Sequence, residues 1–123
     1  MAAADHQTLR LLEGRYVLER LTPDVDARDD RVLAVVRGPD GGACMRHEDE
    51  DGGEDAWVAL WNGDAAHPPD ATGMCAAIVA PLAAGGVPVW VAASYDGDLV
   101  LVPADRLDAA SALLRRAGHD VID

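Results

Sequence analysis

The stretch "VPVWVAASYDGDLVLVPADRLDAA", Val87–Ala110, decides the fold. Val87–Ser94 is an apolar run rich in β-branched residues, and Asp98–Pro103 is a second one. Asp96-Gly97 between them is a strong signal for a tight hairpin turn. Asp105 then stands where a helix cap is expected. Leu107, Ala110, Leu114 and Ala117 give the following helix one apolar face, Gly118 ends it, and "HDVI" reads as a last short strand. Upstream, Thr72 is placed to cap a helix running to Ala84, with Met74, Ile78 and Leu82 on one face and Gly85-Gly86 as terminator. Pro81 lies inside that helix and predicts a kink. Before it, Ala56–Gly63 alternates Trp57 and Trp61 with Val58 and Leu60. Both faces are apolar, as a central strand requires. From Trp57 onward the order is β-α-β-β-α-β. This is an α+β, ferredoxin-like arrangement with two helices on one face of an antiparallel sheet.

The front of the chain is β-rich. Thr8–Leu21 reads as two short strands broken at Glu13-Gly14-Arg15. Thr22–Asp30 is polar, with Thr22 and Pro23 suited to one or two helical turns. Arg31–Gly38 is a buried strand, "PDGG" turns the chain, and "ACMRHE" is its hairpin partner. The like-charge run His47–Asp55 is expected to be a solvated loop, because it lacks the ligand order of a calcium loop. "DAAHPPDA" is expected to be a loop as well.

The formal net charge is -12, lysine is absent, and all 10 basic residues are arginine. Such a chain is expected to repel nucleic acid and anionic membrane surfaces. Residues 1–70 carry 16 of the 22 acidic residues, so the second part is more apolar and better suited to a binding site. Cys44 and Cys75 form no C-x-x-C pair, and a buried, inert thiol is expected at Cys75. No apolar stretch is long enough to span a bilayer, and the expected location is cytoplasmic. The four histidines form no metal-ligand pattern, no nucleophile motif occurs, and no cofactor is expected.

The residues "TGMCAAIVAPLAAGGVPVWVAASYDGDLVLVPADRLDAASALLRRAGHDV" resemble the ACT-domain family. They are most similar to small bacterial members akin to the CASTOR-type arginine sensors. The resemblance rests on "TG" before the first helix, "APLA" with its internal proline, the S-Y-D-G-D turn, "LVPADRLDAA" and the closing "AGH". Members carry Thr-Phe at Ser94-Tyr95, which keeps an aromatic beside the turn. "LRLLEGRYVLERL" is similar to the front half of these proteins. The resemblance implies a partial ACT-like half over residues 1–55, packed as one unit with an ACT domain over residues 56–123.

The resemblance further implies a homodimeric regulatory protein without catalytic residues, binding a free amino acid or similar metabolite and acting on a protein partner it does not name. The expected site is Thr72, Gly73 and Met74 with Ser94, Tyr95, Asp96 and Asp98. The first amides of a helix lack partners and suit a carboxylate, and Gly73 permits close approach. Asp96 is expected to serve the turn, leaving Asp98 as the acid for the ligand's ammonium group. Two other classes stay open: an interaction module of the same fold without a ligand, and a small enzyme on a ferredoxin-like sheet.

Overall fold

Alternation of apolar and polar residues makes Thr8–Leu11 strand β1 and Tyr16–Arg20 strand β2. Both lie against the same edge of β5 (Trp57–Trp61). Leu11 pairs with Leu60 and Tyr16 with Trp57, so five steps along one chain face three along the other. The two extra residues bulge out in the Glu13-Gly14-Arg15 break, where Gly14 takes φ 95°. The Tyr16 hydroxyl closes the break by donating to the Glu13 carbonyl at 3.0 Å. These details come from a computed structural model that describes residues 6–48, 55–64 and 72–123.

β3 (Val32–Gly38) and β4 (Gly41–His47) form the expected hairpin, and β4 pairs with β2 through Leu18 and Met45. β6 (Trp90–Ala93) and β7 (Asp98–Pro103) form the second hairpin, with β7 on the other edge of β5. β8 (Asp120–Ile122) is the last strand. β1 lies between β5 and β8, antiparallel to β5 and parallel to β8. Among the described residues, that pair is the one parallel pairing of the sheet.

The helices are α1 (Met74–Ala84) and α2 (Leu107–Arg116), the latter entered through a 3-10 turn at Ala104–Arg106. Ile78, Leu82, Ala110 and Leu114 pack on Leu9, Val58, Leu60, Val100 and Val102. The opposite face of the sheet is also covered, because it curls. Tyr16 and Met45 from the front strands meet Ala59 and Leu101 there, flanked by Trp57 and Trp90. The central strands are therefore buried on both sides, as the apolar run at Ala56–Gly63 requires.

Three local expectations are corrected. Thr72 does not cap α1: the cap is Gly73, in the left-handed region at φ 78°, with no side-chain cap bond. Asp105 lies in the 3-10 turn and does not cap α2. The segment from Leu21 to Arg31 forms turns rather than helix. There the Asp26 and Asp29 carboxylates accept the Arg28 and Arg31 backbone N–H groups at 3.0 and 2.9 Å. Short acidic side chains compete with the helical bond in this way. Most of the expected loop at His47–Asp55 and of "DAAHPPDA" lies outside the described residues.

Candidate functional site

The opening of α1 and the 94–98 turn are linked within a single chain through Gln7 and Asn62. The first helical bond runs from the Ala77 amide to the Gly73 carbonyl, at 3.0 Å. The amides of Met74, Cys75 and Ala76 precede it, so the helix supplies them no carbonyl. Gly73 has no side chain to cap them, and the first turn carries no acid. Among the described residues, a Cβ built on Gly73 would meet nothing within 4 Å.

The turn differs from the sequence expectation. Ala93 pairs with Asp98, leaving a four-residue loop. Ser94 closes it: its backbone N–H and its hydroxyl both donate to the Gly97 carbonyl, at 2.9 and 2.6 Å. Gly97 does not have positive φ, so this is not the two-residue Asp-Gly turn. It is glycine because of close approach: a Cβ there would lie 2.5 Å from the Gly63 Cα. Asp96 is exposed and makes no side-chain hydrogen bond or ion pair among the described residues. Tyr95 is 81% exposed. Thr72 is exposed too.

Asp98 is partly buried at the start of β7. Its neighbour on α1 is Cys75, which is exposed rather than buried as expected. Local desolvation of the sulfur raises that thiol's pKa, and the nearby Asp98 carboxylate raises it further.

Behind this surface runs a chain of buried amides. Asn62 Oδ1 accepts the Asp98 backbone N–H at 2.6 Å, and Asn62 Nδ2 donates to Gln7 Oε1 at 2.8 Å. Gln7 Nε2 then donates to the Met74 carbonyl at 2.8 Å, in the first turn of α1. The Gln7 backbone N–H donates to His119 Nδ1 at 3.0 Å, and His119 Nε2 meets the Ala77 carbonyl at 2.9 Å. Gln7, Asn62 and His119 are at most 5% exposed. None was singled out for the site from sequence. The available signal was weak: polar residues at the ends of apolar strands, in "DHQTLRLL" and "ALWNG".

A cavity of about 460 Å³ lies elsewhere, between the Leu21–Ala27 segment and the β3–β4 hairpin, beside Val35 and Arg37. A second, of about 340 Å³, lies among Leu11, Leu107, Ser111 and Val121. Neither is lined by any expected site residue. Among the described residues no three His, Cys, Asp or Glu side chains gather as a metal site. No helix of the described residues is long and apolar enough to cross a membrane.

A curled sheet with two helices on one face defines an α+β fold of the ferredoxin-like kind. The chain belongs to the ACT domain family, whose model matches residues 53–116. No curated protein sequence matches it. Among solved structures, a protein of Agobacterium tumefaciens aligns at 23% identity over 96% of this chain and 94% of its own, with TM-score 0.77. A Vibrio cholerae protein described as of unknown function, a possible transport protein, aligns at 20% identity over 92% of each chain, with TM-score 0.73. The ligand-free regulatory subunit of aspartate kinase from Thermus thermophilus aligns at 17% identity over 89% of this chain and 95% of its own, with TM-score 0.58. At these identities the likeness is one of fold.

Proposed function

We propose that the chain is an amino-acid-binding regulatory module. The carboxylate of a free amino acid occupies the Met74–Ala76 amides above Gly73, and Asp98 receives its ammonium group. The observation that supports this reading is the hydrogen-bonded link from the Met74 carbonyl through Gln7 and Asn62 to the Asp98 backbone, between a helix start and a partly buried acid. The first amides of the helix and its dipole favour an anion, and the Asp98 carboxylate favours a cation. The likeness to a regulatory subunit crystallised without its ligand supports the regulatory half of the reading. Kinship with the CASTOR-type sensors, the division at residues 55/56, a homodimer, a cytoplasmic location and a regulated protein partner belong to the same proposal.

The test is a thermal-shift screen against free amino acids. An amino acid at 100 times its Kd stabilises the native state by about 2.7 kcal/mol, which raises the Tm of a domain this size by roughly 3 to 6 °C. Asp98→Ala removes that shift and leaves the unliganded Tm nearly unchanged. Gly73→Val is a poorer probe, since the φ of 78° strains any side chain placed there. Equal shifts for wild type and Asp98→Ala sink the assignment.

One observation favours a second reading. Helix α1, MCAAIVAPLAA, has no charged side chain, and Cys75, Ala76, Ala80, Ala83 and Ala84 are exposed. Such a face suits a protein contact. A wild type stabilised by no amino acid at millimolar concentration moves the function to that interaction module.

A further inference from the structure

We infer that Gln7 and Asn62 are positioning residues that hold the Asp98 turn and the start of α1 as one ligand-binding surface, a role that rests on the amino-acid reading above. Gln7 lies 46 residues before the first residue of the family match at 53, so the matched stretch does not supply its own strut.

Donor and acceptor chemistry fixes the orientation of every member of the chain. The Met74 carbonyl only accepts, so the NH2 of Gln7 must face it. The Gln7 oxygen therefore faces Asn62, whose NH2 must face back. The Asn62 oxygen is left for the Asp98 N–H, which only donates. One assignment satisfies all three bonds, and reversing either amide breaks two of them. The backbone of Gln7 is fixed as well: its N–H goes to His119, and its carbonyl accepts from the Asp120 amide at 3.0 Å. The strut is thus anchored in the β1–β8 pairing. The insertion of β1 between β5 and β8 is what brings Gln7 under the helix start. A buried amide network of this kind is rigid only while every member is satisfied. Removing one link frees the turn from the helix without touching any group offered to the ligand.

Cys75 reports the separation directly, because its thiol lies on the first turn of α1 and feels Asp98. The experiment is alkylation of the unliganded protein by iodoacetamide as a function of pH, with the label on Cys75 quantified by mass spectrometry. Cys44 is buried and is resolved separately. In the wild-type background, Asp98→Asn is expected to move the Cys75 profile to lower pH. In the Gln7→Asn background, whose shorter side chain cannot bridge Met74 and Asn62, the same substitution is expected to move it less than half as far. An equal displacement in both backgrounds overturns the positioning role. So does an absence of displacement in the wild-type background. Asn62→Ser cuts the second link and gives the same comparison should Gln7→Asn fail to fold. Each background is first shown by urea denaturation to be folded under the labelling conditions, so that a reduced displacement reports loss of the link and not labelling through unfolded molecules. The measurement uses no amino acid. A failed amino-acid screen therefore sinks the ligand reading, while the thiol profiles judge the strut separately.

Discussion

Pro81 has no N–H, so the Ala77 carbonyl, four residues earlier in α1, lacks its helical donor. His119 replaces it, with Nε2 at 2.9 Å from that carbonyl. The other ring nitrogen accepts the Gln7 backbone N–H at 3.0 Å. A donor on one side and an acceptor on the other set the ring as the neutral Nε2–H tautomer. His119→Phe keeps the ring shape and removes both bonds. Each buried group left without a partner costs about 1–3 kcal/mol, so the variant loses about 2–6 kcal/mol. That is a large share of the roughly 5–15 kcal/mol that holds a domain together. Pro81→Ala then gives the Ala77 carbonyl a helical N–H. In the His119→Phe background it recovers about 1–3 kcal/mol more than it changes in wild type, whose carbonyl is already satisfied. Urea denaturation of the four proteins, followed by circular dichroism, measures this coupling. Coupling below about 0.5 kcal/mol, the scatter expected of independent sites, refutes the assignment of His119 as the surrogate donor.

Gly97→Ala places a Cβ 2.5 Å from the Gly63 Cα and is expected to cost about 1–3 kcal/mol as overpacking. Asp96→Ala, by contrast, stays within about 0.5 kcal/mol of wild type; the reverse ranking in denaturation midpoints would restore the Asp-Gly turn reading. On the outer sheet, Arg46 donates to both Glu19 oxygens at 2.7 and 3.1 Å and holds that carboxyl below its usual pKa. A lowered folded pKa gives a contribution present above the unfolded value of about 4.3 and lost as pH falls through the folded one. Both side chains are over a third exposed, so the contribution is at most about 1 kcal/mol. Arg46→Gln should therefore approach wild-type stability as pH drops through that window, and a gap that stays constant with pH would refute the pairing.

Much of the architecture was legible because its causes are local. The alternating run at Thr8–Leu11, the apolar runs at Val32–Gly38 and Asp98–Pro103 and the apolar face of Leu107–Arg116 depend on near neighbours, and each appears as an element. The breaks at Gly14 and Gly118 are read from one residue whose positive φ favours glycine. Caps were less legible. Thr72 and Asp105 have suitable chemistry, yet Gly73 and a 3-10 turn occupy those places.

The sequence alone determined an α+β chain with two helices beside a sheet. It also marked a glycine-opened helix and an acidic hairpin turn as the segments to watch. Tertiary structure decided that buried hydrogen bonds link them. It did so through β1, which enters between β5 and β8 and carries Gln7 to Asn62, 55 residues away, and to His119, 112 residues away. Local periodicity fixes which residues of a strand face the core, but it holds no information about which edge the strand will join. Pairing is chosen by burial across the whole sheet, and the orientation of each buried amide follows only after that choice.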